Sequence, residues 1–162
     1  MDVSVVVSNT TSLIALAWLE RIDLLPTLFG RVHIPQAVHD EIHHYPEAIG
    51  VSELSTAPWL VVTPVSDVLA VELLLDQLDV GESEAIVLAH ELRAGLLLMD
   101  ERRGRRRAMR SGLTVAGTLA VLIQARQQGL VGPLHPLLER LRELPFHMSE
   151  ALYADVLRRV GE

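Results

Sequence analysis

Apolar residues along this chain alternate between short, fully apolar runs and longer stretches in which they recur every three or four positions. Asp2 to Ser8 (DVSVVVS) is a β-branched run that predicts a buried strand. It ends at Asn9-Thr10-Thr11-Ser12, a cluster of N-cap formers, after which Leu13, Ile14, Leu16, Ala17 and Leu19 follow at helical spacing. A short helix over Asp23 to Leu28 stops at Gly30, and Arg31 to Ile34 predicts a second strand closed by Pro35. Pro35 can open a helix carrying Ala37, Val38, Glu41 and Ile42. His43 to Thr56 is polar, interrupted by Pro46 and Gly50, and reads as loop or frayed helix.

A third strand is predicted at 59–63 between Pro58 and Pro64, followed by an apolar helix over 67–78. The stretch 79–110 then gives a helix from Asp79 to about Arg93, a turn at Gly95, an apolar strand over 96–99 that stops at Asp100, and a basic helix. A last short strand at 113–116 leads into a helix through Gln128. Two amphipathic helices, 135–144 and 149–160, complete the chain. Strands alternating with helices imply an α/β fold with a central, mostly parallel sheet flanked by helices. One domain over 1–162 is expected, with 130–162 a helical extension packing on it.

In open parallel sheets, ligands sit outside the carboxyl ends of the strands. That edge is where Asn9 and Asp100 end their strands and where the helix positions Glu41, Glu82 and Glu84 are carried. Oxygen donors alone suit a hard cation such as Mg²⁺ or Mn²⁺. Cys is absent, which excludes disulfides and thiolate metal sites. The formal charge is −7, against nonspecific adhesion to nucleic acid, yet all 14 basic residues are Arg and six fall between 102 and 110. Guanidinium forks suit phosphate oxygens. The bland alternative for that cluster is a solvated helix face paired with surface acids. No apolar run is long enough for a membrane span and no signal peptide is read, so a cytoplasmic location is expected.

Each piece also has a plain structural reading. Asp79 with Glu82 and Glu84 can be only a capped helix start, and Asp100 only a turn residue. His39-Asp40-Glu41-Ile42-His43 places two histidines on one helix face, but it lacks the His-Glu-x-x-His order of a zinc hydrolase and a third ligand at an obvious distance. No Gly-x-Gly-x-x-Gly, P-loop or serine elbow is present, so nucleotide-cofactor and serine-hydrolase readings have no carrier.

Taken together, VVVSNTTSLIAL (5–16), IPQAVHDEI (34–42), LDVGESEAIVLA (78–89), LLLMDERRGRR (96–106) and GLTVAGTLAVL (112–122) resemble, in order and spacing, the PIN domain, and most closely the compact PIN ribonucleases related to VapC-type toxins. The resemblance covers essentially the whole chain. It implies a three-layer PIN-like fold and a quartet of acids around one or two divalent cations, Mg²⁺ or Mn²⁺. The quartet falls on Asn9, Glu41, Glu84 and Asp100, with Glu82 an alternative to Glu84 as metal ligand. It implies an endoribonuclease, the toxin of a toxin–antitoxin pair, with RNA as substrate, a small antitoxin and a second copy of itself as partners, and no membrane. Arg102, Arg103, Arg105 and Arg106 would hold RNA phosphates. Asn9 departs from the pattern: an amide ligates without charge, so weaker metal binding is expected. The alternative is a catalytically weak PIN-fold module that binds RNA or protein.

Overall fold

The strand that ends at Asn9 lies at the centre of the sheet. In the computed structural model, which describes residues 5–45, 50–144, 146 and 148–162, it is β1 (Val6–Ser8). The positions 2–4 of the expected first strand lie outside the described residues. Next come α1 (Thr10–Trp18), α2 (Leu24–Phe29), β2 (Val32–Ile34), α3 (Gln36–Ile42), α4 (Val51–Thr56), β3 (Leu60–Val62) and α5 (Val68–Leu74). The second half holds α6 (Val80–Glu91), β4 (Leu96–Leu98), α7 (Arg102–Arg110), β5 (Val115–Ala116), α8 (Thr118–Gln127), α9 (His135–Leu141) and α10 (Glu150–Arg159).

All strand pairs are parallel, in the order β3-β2-β1-β4-β5. Val6, Val7 and Ser8 of β1 stand beside Leu96, Leu97 and Leu98 of β4. The chain therefore builds outward from β1 in one direction and then returns to build from β4 in the other. The crevice at the carboxyl ends of β1 and β4 is a topological switch point, where ligands of such sheets bind.

Two apolar clusters cover the two faces of the sheet, which makes three layers. Val6 and Leu98 belong to one cluster, with Leu13, Leu16, Leu25, Leu122, Leu138 and Val156 from α1, α2, α8, α9 and α10. Val7, Leu97 and Met99 belong to the other, with Ala85, Leu88 and Ala108 from α6 and α7. Successive strand residues face opposite sides, so one short run supplies both cores. The continuous apolar character of β1 and β4 follows, because both faces are buried. Among the described residues no helix is long and apolar enough to cross a membrane.

The polar stretch 43–56 contains a helix that its composition hides. Val51 and Leu54 of α4 are buried, one turn apart, in the same cluster as α1. Gly50 makes this possible. It has φ +81°, and a β-carbon there would sit 2.9 Å from the Ala17 carbonyl oxygen. Gly50→Ala is therefore expected to destabilise the fold by about 1–3 kcal/mol, from left-handed strain and displacement of α1. Urea unfolding would measure it, and an unchanged midpoint would contradict this packing. The helix expected over 67–78 is shorter than its apolar run: α5 stops at Leu74, and within it Val68, Leu69 and Leu73 are exposed.

Candidate active site

Asn9 follows β1 and occupies the N-cap position of α1, but its side chain caps nothing. Its Oδ1 is buried and has no hydrogen-bond partner among the described residues. A buried amide oxygen without a donor is costly. The residue itself lines a cavity of about 640 Å³ together with Thr10, Thr11, Glu41, Asp79, Glu82 and Glu101.

The last turn of α3, the start of α6 and the N-cap position of α7 place these acids. Glu41 reaches from α3 toward the start of α6, where its carboxylate accepts hydrogen bonds from the Thr10 hydroxyl and the Gly81 backbone N–H. A β-carbon on Gly81 would collide with Glu41 Oε1, so this approach requires glycine. Asp79 caps α6 by accepting from the Glu82 N–H at 2.7 Å. Glu82, in the first turn of α6, is buried and points toward α7. A β-carbon at Gly104 would stand 2.8 Å from its Oε2. Glu101 precedes α7 and is exposed at the rim.

Burial pushes the Glu41 carboxyl above the usual carboxylate range, with the charge of Asp79 adding to it. Glu82 is pushed up to about 8, first by burial, then by a hydrogen bond to the Asp79 side chain and the negative charges of Asp79, Glu101 and Glu41. Because the folded-state value lies above the unfolded one, the stabilisation from Glu82 is present below pH 4.5 and is lost as pH rises through about 8. The metal-free protein should thus melt at a lower temperature at pH 8.5 than at pH 5.5, and Glu82→Gln should flatten that dependence. Thermal scans in chelator would check both, and a wild-type midpoint that rises between those two values would count against a protonated Glu82.

The two remaining candidates are brought elsewhere. Glu84 lies two positions beyond Glu82, about 200° around the helix, and its Oε1 accepts from the Ala37 N–H at 3.0 Å. It fills the capping role that Pro35 leaves open at the start of α3. Asp100 accepts from the Ser12 hydroxyl at 2.9 Å, the Thr118 N–H at 2.8 Å and the Thr118 hydroxyl at 2.7 Å. It ties the end of β4 to α1 and α8. The alternation of β4 explains this: Met99 faces the α6 side, Asp100 the α1–α8 side, and Glu101 the α6 side again. Sequence reasoning passed over Glu101 and treated Asp79 only as a cap, although strand alternation past Met99 was the signal for Glu101. Arg102, Arg105 and Arg106 line a neighbouring cavity together with Asp100, whereas Arg103 is exposed outside it.

Family comparison adds a second line. The family model described as a PIN domain matches residues 5–162, and the chain belongs to that family. A search of curated proteins found no match. PIN domains have a nuclease-type fold, are generally hydrolases acting on nucleic acids, and generally use divalent metal ions. The acid cavity fits such an ion in donor chemistry: an amide oxygen without a partner among the described residues, beside clustered carboxylates, all oxygen, one of them pushed up to about 8 by burial and by its acidic neighbours. Among the described residues no group of three or more His, Asp or Glu already stands in chelating position. Asn9, Glu41 and Glu82 are the residues that would hold such an ion there.

Proposed function

We propose that this protein is a metal-dependent endoribonuclease that hydrolyses RNA phosphodiester bonds, and that it serves as the toxin of a toxin–antitoxin pair. The observation that carries the reading is Asn9, whose buried Oδ1 has no partner among the described residues, lining one cavity with Glu41, Glu82, Asp79 and Glu101 at the switch point of a PIN fold. In this reading Asn9, Glu41 and Glu82 hold Mg²⁺ or Mn²⁺, and Glu101 completes the cluster from the rim. Glu84 and Asp100 are positioning residues that fix α3, α6, α1 and α8 around it.

When bound, a divalent ion lowers the pKa of water and offsets charge developing on phosphate oxygens. The chain's own residues prepare for that role. The Thr10 hydroxyl and Gly81 N–H hold the Glu41 carboxylate in one orientation. Glu82, pushed up to about 8, would have to be deprotonated to hold the ion, so ion affinity is expected to rise with pH. In this reading Glu101, exposed to solvent at the rim, would be the carboxylate that accepts a proton from the attacking water. The guanidiniums of Arg102, Arg105 and Arg106 hold flanking phosphates. A small antitoxin and a second copy are the partners we assign in the cytoplasm. The exposed Val68, Leu69 and Leu73 of α5 offer apolar surface for one of them.

A second reading, a binding module that does not cut, is favoured by Asn9 itself, which brings no charge to the ion. Purified protein with structured RNA and Mn²⁺ separates the two. Cleavage is expected, and Asn9→Asp is expected to raise Mn²⁺ affinity about tenfold or more, seen by isothermal titration. If the wild type neither binds metal nor cleaves while Asn9→Asp does both, the binding-module reading replaces the nuclease.

A further inference from the structure

Three histidines, His39, His43 and His44, stand at the end of α3, and none of them lines the acid cavity. His39 and His43 lie one turn apart on the solvent side, with ring centroids 4.3 Å apart and planes tilted by 45°. Glu41 falls between them in sequence but about 200° around the helix from His39, and it is the residue that lines the acid cavity. A single turn of α3 thus carries oxygen on its cavity side and imidazole on its outer side.

The hydrogen bonds of the two rings decide which nitrogens are free. His43 Nδ1 is 2.7 Å from the His39 carbonyl oxygen. A carbonyl only accepts, so Nδ1 carries the proton and Nε2 keeps its lone pair. His39 Nδ1 stands between the Gln36 amide nitrogen at 3.4 Å and Asp40 Oδ1 at 3.5 Å. Gln36 also donates to that Asp40 oxygen at 2.9 Å, which holds the carboxylate beside the ring. A metal on His39 Nε2 selects the tautomer whose Nδ1–H faces Asp40. Histidines that bind metals almost always donate their other ring N–H to a backbone carbonyl or a carboxylate, and this pair has one of each. Two nitrogens sharing a zinc ion lie within about 4.2 Å of each other, at about 2.1 Å apiece. Rings whose centres are 4.3 Å apart meet that limit by a small rotation.

We propose that His39 and His43 form a second metal site, one that takes a borderline transition-metal ion such as Zn²⁺ or Ni²⁺ through their Nε2 atoms. Among the described residues no third His, Asp or Glu completes the pair, so water fills the remaining positions. The site holds an ion at two points, more weakly than a closed four-ligand site, and it has no glutamate in the position a zinc hydrolase requires. Imidazole suits these metals, whereas the oxygens of the acid cavity suit Mg²⁺ or Mn²⁺, so the two sites sort cations by donor chemistry. The carbonyl end of α3 adds a favourable dipole for a cation. An ion bridging residues 39 and 43 also staples the turn that carries Glu41. This site is independent of the nuclease reading.

Isothermal titration of the full chain with Zn²⁺ tests it, together with ring ¹⁵N spectra of the histidines. Both rings reach the surface, so His39→Ala and His43→Ala should fold as the wild type does. Each variant should weaken Zn²⁺ binding by more than about tenfold and leave Mn²⁺ binding unchanged, and Asp40→Asn should weaken Zn²⁺ binding by about tenfold. Glu82→Gln should retain the zinc site. On adding Zn²⁺, the Nε2 signals of His39 and His43 should move while their Nδ1 signals remain those of protonated nitrogens. Unchanged Zn²⁺ affinity in either histidine variant overturns the proposal, as do shifts confined to other histidines. Zinc binding that disappears in Glu82→Gln also overturns it, because the ion would then lie in the acid cavity.

Discussion

Replacing Glu82 by Gln should lower Mn²⁺-dependent RNA cleavage by about a hundredfold or more while leaving the fold intact. The loss follows from where Glu82 sits: it is the most buried carboxyl of the acid cavity, pushed up to about 8, and in the proposed reading it holds the ion. Removing one preorganised charge-stabilising group of an active site commonly costs about 10²–10³ in rate. Stability should not fall, because Gln has no ionised form to desolvate, and near pH 8 the variant should be the more stable protein. Loss of activity with gain of stability at that pH is a combination that a merely structural role for Glu82 would not produce. Cleavage kinetics and urea unfolding on the same preparations would show it.

The opposite combination is expected just beyond the end of β4. Asp100→Ala should cost about 2–4 kcal/mol of stability, because it strands the Ser12 hydroxyl and both donors of Thr118, residues that are themselves buried. Glu101→Gln should lie within about 0.5 kcal/mol of wild type, since Glu101 is exposed, but should reduce cleavage. Should Asp100→Ala unfold at the wild-type urea concentration while losing all cleavage, the roles given to these two neighbours would have to be exchanged.

Much of this was legible along the chain. The apolar runs at Val5 to Ser8 and Leu96 to Met99 marked the two central strands, and the alternation of strands with helices marked the parallel sheet. The family resemblance, drawn on the same segments, agrees with the match over residues 5–162. What the sequence leaves open is which acids converge. Glu82 and Glu84 face nearly opposite sides of α6, so by spacing only one of them can reach a shared cavity. The docking of α3 against α6 decides which, because Ala37 takes Glu84 and Gly81 admits Glu41. Asp100 and Glu101 diverge for the strand version of the same reason. The helix at 51–56 was hidden because tertiary burial of Val51 and Leu54 overrides a polar composition.

Diffraction from crystals soaked in Mn²⁺, recorded for its anomalous signal, addresses the central claim most directly. A peak in the acid cavity, bonded to Asn9 Oδ1 and to the carboxylates of Glu41 and Glu82, is the predicted result. A peak held by Glu84 or Asp100, or no peak in the acid cavity at saturating Mn²⁺, would contradict it.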